Sequence, residues 1–309
     1  MTSSPATPTP AVTAGPDTPF SDRLAAAIDR AGAPACVGLD PVFEKLPAAL
    51  RAAHSADPVA AIAAFSRGIL RAIRGIVPAV KFQSACYERY HGPGFDLLHH
   101  LIAEARAAGL VVILDAKRGD IGVTAEHYAA SAFTSAGGRP HADALTVSGY
   151  LGPDTIEPFL KAGAGIFVLV RTSNPGSDAV QSLRLADGRT VAEMMADTTA
   201  SLGASRRGQR GLSDVGAVVG ATKAADGRAL RARMPNQVFL VPGYGAQGGT
   251  LDDVRALLRP GARGPADAGV LVTASRSVIY AAAPDAQDWE GDVRAAASRF
   301  VAELAQIHV

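Results

Sequence analysis

The chain has 309 residues, enough for one large α/β domain, and 48% of them are hydrophobic. Its 30 lysines and arginines almost balance its 29 aspartates and glutamates, which leaves a formal net charge of +1. Because no long run carries one sign, we expect no nucleic-acid partner and no attraction to an anionic membrane.

Residues 1–18 are rich in proline, alanine, threonine and serine, and their only charged side chain is Asp17. They lack the basic start and continuous apolar stretch of a secretory signal, so we predict a disordered tail before a single domain over residues 19–309. No apolar run is long enough to cross a membrane. Cys36 and Cys86 show no metal or redox spacing, so we expect reduced thiols and a cytoplasmic location.

Eight short apolar runs alternate with longer, alanine-rich segments that have helical periodicity. The predicted strands are Ala35–Leu39, Ala79–Phe82, Val111–Leu114, Ala144–Val147, Ile166–Val170, Val215–Val219, Val238–Val241 and Val270–Thr273. The predicted helices include Val59–Ile76, Phe95–Ala108 and Thr250–Leu258. Continuous apolar strands separated by helices are typical of parallel sheets buried on both faces. Eight such units favour a closed (β/α)₈ TIM barrel of the α/β class, with a doubly wound open sheet as the alternative.

The interval between the fifth and sixth strands is longer than a barrel requires. It contains a predicted helix over Val191–Leu202 and an arginine- and glycine-rich stretch over Arg206–Gly211. Because the interval lacks a core of its own, we interpret residues 177–214 as an insertion on the active face of the barrel.

The third strand ends in the sequence Asp-Ala-Lys-Arg-Gly-Asp over residues 115–120. Residues two apart on a strand point to the same face, so Asp115 and Lys117 should lie side by side. Burying such charges is costly unless they are paired, which indicates a site at this strand end. The alternative is a solvated run of charges in which Asp120 caps the next helix.

Polar residues also follow or interrupt other strands, and in a closed barrel they meet at the rim where such enzymes have their sites. They are Asp40 after the first strand, Lys81 in the second, Ser173 after the fifth, Gln247 after the seventh and Arg276 after the eighth.

The last two of these strand ends fit a phosphate site. Glycines around Gln247 let backbone N–H groups approach an anion, and Arg276 offers a charged fork. An ordinary glycine turn and a surface arginine would give the same residues.

The other strand ends suggest proton transfer and recognition of a base. An aspartate between Lys81 and Lys117 would keep the lysines charged, which suits a proton donor. Thr-Ser-Asn at 172–174 could bind the amide edge of a base or simply form a turn. The histidines share no ligand spacing, so we expect no metal site.

These motifs together resemble the orotidine 5′-phosphate decarboxylase family, and the long interval after Pro175 is similar to its larger bacterial, type 2 subgroup. The matching segments span nearly the whole chain beyond the tail, in the order found in the family. They are residues 37–41, 80–83, 115–121, 172–176, 245–249 and 275–277.

The resemblance implies decarboxylation of orotidine 5′-phosphate to UMP and CO₂ without a cofactor. Lys117 would donate the proton to C6 of the pyrimidine, and Asp115 would lie against the departing carboxylate. Lys81 and the partner's Asp120 would complete an alternating charge array, while Asp40 would contact the ribose.

The resemblance also implies how the rest of the substrate is bound. Ser173 would read the pyrimidine edge, and Gln247 with Arg276 would hold the 5′-phosphate. Ile121 and Thr124 would enter the neighbouring subunit's site, which makes a homodimer necessary. The glycine and valine between them depart from the pattern of smaller members, which bears on the local loop shape only.

Two alternatives remain open at this point. One is a sugar-phosphate decarboxylase or aldolase that shares the Asp-x-Lys-x-x-Asp pattern but uses a divalent metal. Such enzymes carry an acidic residue where Lys81 stands, because the metal needs a carboxylate ligand. The other is a non-catalytic protein that binds nucleotide phosphates on the same scaffold.

Overall fold

The computed structural model describes residues 18–134, 141–245 and 247–307. The predicted tail lies almost wholly outside these residues, and its disorder stays a prediction. Parallel strands pair in chain order, and pairing of the first with the last closes the barrel. The predicted TIM barrel is therefore confirmed, and the open-sheet alternative is wrong. The strands are β1 (Ala35–Leu39), β2 (Ala79–Gln83), β3 (Val111–Arg118), β4 (Ala144–Val147), β5 (Gly165–Arg171), β6 (Ser213–Val219), β7 (Gln237–Val241) and β8 (Val270–Ala274).

Helices connect the strands. Those of the described residues are α1 (Phe20–Ala31), α2 (Ala48–Ala53), α3 (Pro58–Ile73), α4 (Ala85–Glu88), α5 (His91–Ala107), α6 (Gly122–Phe133), α7 (Glu157–Lys161), α8 (Asp178–Gln181), α9 (Val191–Leu202), α10 (Ala224–Arg233), α11 (Leu251–Arg255), α12 (Arg276–Ile279) and α13 (Trp289–Leu304).

Three predicted helices have different bounds in the structure. α3 ends three residues early, since Arg74 leaves the helical region and Gly75 follows with φ 73°. α5 begins before Phe95, with a proline in its first turn, where the missing N–H costs nothing. α11 is shorter than predicted because Thr250 is its N-cap and the helix ends at Arg255.

The strands alternate between two apolar cores. Their outward residues, such as Val37, Val80 and Val112, pack against the surrounding helices. Their inward residues fill the barrel together with α1, whose Phe20 meets the ring of Phe167 edge-on at 5.8 Å. α1 thus closes the amino-terminal end of the barrel interior.

The long interval after β5 serves two purposes. Its start, including α8, lies at the carboxyl end of the strands, as expected for an insertion on the active face. The prediction is wrong for α9, which contacts β5, β6 and α10 on the outside of the barrel. α9 is therefore the regular helix that joins β5 to β6. A capping box between Thr190 and Glu193 fixes its start.

Candidate active site

A cavity of about 660 Å³ opens at the carboxyl ends of the strands. Successive side chains of a strand point to opposite faces, so the last inward-pointing residue of most strands faces this cavity and forms its floor. The lining residues include every predicted site residue except Asp120, Ile121 and Thr124. They are Asp40, Lys81, Gln83, Asp115, Lys117, Thr146, Leu169, Thr172, Ser173, Asn174, Gly176, Ser177, Val180, Gln181, Val218, Leu240, Pro242, Gly243, Tyr244, Gln247, Thr273, Ser275 and Arg276.

Two lysines hold one carboxylate on the floor of this cavity. Lys81 Nζ donates to Asp115 Oδ2 at 2.8 Å, and Lys117 Nζ donates to Asp115 Oδ1 at 2.6 Å. Lys81 Nζ also lies 3.7 Å from Asp40 Oδ1. Lys81 and Asp115 are buried, whereas the side chain of Lys117 is 46% exposed. Lys117 is therefore the member of the cluster that is open to a ligand.

The buried charges stabilise each other. Burial alone would lower the pKa of Lys81, but attraction by Asp115 and Asp40 outweighs it, and the pKa lies above its usual value. Burial alone would raise the pKa of Asp115, but Lys81 and Lys117 hold that pKa well below its usual range. The carboxylate and the buried ammonium are therefore both charged at neutral pH.

The backbone of Lys117 is unusual. Its φ of 48° lies in the left-handed region, which side chains other than glycine seldom adopt. The pairing of β3 with β4 also shifts register between Leu114 and Arg118. At this irregularity the hydroxyl of Thr146 accepts from Lys117 N and donates to Asp115 Oδ1, both at 2.9 Å. Sequence reasoning missed Thr146, since a threonine in a strand is an ordinary β-former.

Asp120, Ile121 and Thr124 follow β3 in the sequence, but they do not line the cavity of their own chain. Ile121 is 63% exposed, and Thr124 is exposed in the first turn of α6. Asp120 Oδ1 accepts from the N–H of Ile121, the N-cap residue, at 2.8 Å. The alternative in which Asp120 caps the helix is therefore wrong.

Gln247 and Arg276 lie on the cavity wall, as the phosphate interpretation requires. Gly243 lies in the loop after β7 with φ 93°, a conformation suited to glycine. Its Cα faces Gln247, because an added Cβ would lie 3.1 Å from Gln247 Oε1. Arg276 is exposed, and within the described ranges its guanidinium has no hydrogen-bond or ion-pair partner. Its charge is available to an anion.

A buried arginine fixes the loop that carries Ser173. Arg171 donates to Asp226 Oδ2 at 2.7 Å and to Asp178 Oδ1 at 2.5 Å. Gln181 of α8 binds the N–H of Thr172 at 2.8 Å. The composition of this loop did not reveal that Arg171 and Gln181 shape it, and one of the partners of Arg171, Asp226, lies 55 residues away.

Two buried polar atoms in the cavity, Asp40 Oδ1 and Thr273 Oγ1, form no hydrogen bond with the residues described. Asp40 Oδ1 is ion-paired with Lys81 Nζ at 3.7 Å. Both residues line the cavity, where hydroxyl groups of a ligand could satisfy these atoms.

The part of the chain that is described contains no group of three histidine, cysteine, aspartate or glutamate side chains arranged for a metal ion. Cys36 and Cys86 are free thiols, and burial raises their pKa to about 12 and about 11. No helix of these residues is both long and apolar enough to cross a membrane.

The fold and the site define a TIM-barrel enzyme with a paired acid and base cluster at the carboxyl end of its strands. The sequence model of the orotidine 5′-phosphate decarboxylase / HUMPS family matches residues 36–290, and the chain belongs to this family. The family resemblance read from the motifs is thus confirmed, while membership of the type 2 subgroup stays a prediction.

Known proteins are similar to this chain over nearly its full length. Orotidine 5′-phosphate decarboxylase of Rhodopirellula baltica is 44% identical over 297 residues, covering 90% of this chain and 96% of the relative. That of Salinispora tropica is 41% identical, covering 92% and 96%. The structure of Leishmania donovani OMP decarboxylase superposes with a TM-score of 0.73 at 33% identity, covering 94% and 98%.

Proposed function

We propose that this enzyme decarboxylates orotidine 5′-phosphate to UMP and CO₂, the last step of UMP synthesis, without a metal or organic cofactor. The observation that carries the proposal is the Lys81–Asp115–Lys117 cluster, in which each carboxylate oxygen accepts from one ammonium. Both oxygens of Asp115 are thereby occupied, which leaves this aspartate poorly suited to bind a divalent cation. Family membership and the free cation of Arg276 support the choice of a phosphorylated substrate.

Lys117 would be the proton donor. The bond between C6 and the carboxylate breaks, its electron pair stays on C6, and CO₂ leaves. The ammonium of Lys117 stabilises the growing negative charge and then transfers a proton to C6, after which water restores that proton. Asp115 would lie against the departing carboxylate, and Lys81 would keep Asp115 charged and in place.

One ion pair is too weak to account for the reaction. Two unit charges about 4 Å apart attract by roughly 4 kcal/mol at an effective dielectric near 20. Enzymes that catalyse very slow reactions supply about 20 kcal/mol. The rest must come from positioning, from preorganised charges and from binding energy of parts of the substrate that do not react.

Those remote parts would be held around the cavity wall. Asp40 would bind the ribose, in line with its buried oxygen that accepts no hydrogen bond among the described residues. Ser173 would bind the pyrimidine edge from a loop that Gly220 approaches closely, since an added Cβ there would lie 2.9 Å from Ser173 Cβ. Gln247 and Arg276 would bind the 5′-phosphate.

A homodimer would complete each site. Asp120, Ile121 and Thr124 would enter the neighbouring subunit's cavity, where Asp120 becomes the fourth charge of the array. Exposed apolar side chains on this edge support an interface, with Ile121 at 63% and Tyr150 at 84% exposure. The two loops that carry them are neighbours, since Ser148 N donates to Arg118 O at 2.8 Å.

A spectrophotometric assay tests the proposed reaction. Loss of the ultraviolet absorbance of orotidine 5′-phosphate, with UMP as product and unchanged by EDTA, is the expected result. Binding without turnover would favour the non-catalytic alternative. Turnover that EDTA abolishes and Mg²⁺ restores would favour the metal-dependent relatives.

A further inference from the structure

Thr146 binds both ends of the turn that presents Lys117. Its hydroxyl donates to Asp115 Oδ1 and accepts from the backbone N–H of Lys117, each at 2.9 Å. Thr146 is buried in β4, with 1% of its surface exposed, and it lines the floor of the cavity. No other hydroxyl of the described residues forms hydrogen bonds with both Asp115 and Lys117.

The turn needs such a support. A lysine with φ 48° is in a region that costs an ordinary residue free energy and persists only when its surroundings hold it there. The register shift between Leu114 and Arg118 interrupts the ladder between β3 and β4 at the same point. The N–H of Lys117 therefore has a threonine side chain as its partner where a regular strand would have a carbonyl.

The same hydroxyl completes the set of donors around Asp115. Oδ1 accepts from Thr146 and from Lys117 Nζ at 2.6 Å, while Oδ2 accepts from Lys81 Nζ at 2.8 Å and from Gln83 Nε2 at 3.4 Å. Donors on both oxygens fix the rotation of the carboxylate. Without the Thr146 hydroxyl, Asp115 and the backbone of Lys117 would each lose one hydrogen bond, both on the side that faces β4.

We infer that Thr146 is a positioning residue for the reaction, whose hydroxyl holds the Lys117 backbone left-handed and orients Asp115, so that the Lys117 ammonium points at the reacting carbon. The inference rests on the proposed function for its kinetic consequences. Its structural part, the role of the hydroxyl in the turn, stands independently.

Three substitutions separate the hydroxyl from the packing of the side chain. Thr146→Val keeps the branched shape and removes the hydroxyl, Thr146→Ser keeps the hydroxyl and removes a methyl group, and Thr146→Ala removes both. Because the lost hydrogen bond is made to a charged group, we expect kcat of the valine and alanine variants to fall about ten- to hundredfold. KM for orotidine 5′-phosphate and Kd for UMP should stay within about threefold, and the serine variant should keep kcat within about threefold of wild type.

The matched control is Thr199→Val. Thr199 is fully buried in α9, and its hydroxyl donates to the carbonyl of Met195 at 2.8 Å, outside the cavity. This variant loses a buried hydroxyl of the same kind, and its kcat and KM should equal those of wild type.

Several results would overturn the inference. They are a kcat of Thr146→Val within threefold of wild type, an equal loss in Thr146→Ser, or a loss carried by KM alone. If the valine variant fails to fold, comparison of the alanine and serine variants tests the inference. Of these two, only the alanine variant should lose kcat.

An inactive wild-type protein would refute the proposed function and leave the structural claim open to its own test. A crystal structure of Thr146→Val should show Lys117 outside the left-handed region, with the contact between its Nζ and Asp115 Oδ1 lengthened from 2.6 Å. An unchanged turn would contradict the claim.

Discussion

Removal of the Arg276 guanidinium should weaken recognition of the substrate's phosphate while leaving the protein intact. Arg276 is exposed, and no carboxylate of the described segments pairs with it, so Arg276→Ala should change the free energy of unfolding by less than about 0.5 kcal/mol. A charge-assisted hydrogen bond to phosphate contributes about 1.5–3 kcal/mol. At about 1.4 kcal/mol per factor of ten, kcat/KM for orotidine 5′-phosphate should fall by about ten- to 150-fold, mainly through a higher KM.

A substrate without the phosphate makes this experiment specific. Orotidine cannot use Arg276, so kcat/KM for orotidine should be the same in the variant and in wild type within about twofold. Arg30→Ala is a matched control, because Arg30 is also exposed but lies in α1, at the closed end of the barrel. An unchanged KM for orotidine 5′-phosphate, or an equal loss with orotidine, would refute the phosphate site.

Two further predictions concern the charge cluster and the dimer. The pKa of Asp115 is lowered in the folded state, so its stabilisation is present above about pH 4 and is lost as the pH falls further. The pKa of Lys81 is raised, so its stabilisation is present below about pH 10 and is lost above it. Urea unfolding across pH should therefore show a stability advantage of wild type over Asp115→Asn that is constant near neutrality and shrinks below about pH 4. An advantage as large at about pH 2 as at neutrality would contradict the coupling. For the dimer, mixing inactive Lys117→Ala and Asp120→Ala subunits should restore about a quarter of wild-type activity, since half of the dimers gain one intact site, and no recovery after verified subunit exchange would argue against shared sites.

The sequence predicted the barrel well because its signals are local. β1, β4 and α9 have the predicted bounds, since short apolar runs and a capped helical segment define them without help from distant residues. The start of α5 was misplaced because Gly92, Pro93 and Gly94 lie in its first turn and are poor helix formers by composition.

The site was predictable wherever alternation along a strand decides the direction of a side chain. Lys81 and Asp115 point inward for that reason, and burial makes their pairing necessary. The left-handed backbone of Lys117 was not predictable, because lysine has no preference for it and the Thr146 bond that supports it joins residues 29 apart. Arg171 stands at a strand end in the sequence, but its pairing with Asp226 was not predictable for the same reason, since the two residues are 55 apart.

The most direct test of the account is the turnover of Lys117→Ala, measured together with UMP binding. Because Lys117 is half-exposed and its removal leaves Asp115 paired with Lys81, the variant should fold and bind UMP close to wild-type affinity. We expect its decarboxylation of orotidine 5′-phosphate to be nearly abolished. Turnover close to that of wild type would contradict the central claim that the Lys117 ammonium stabilises and protonates the carbanion.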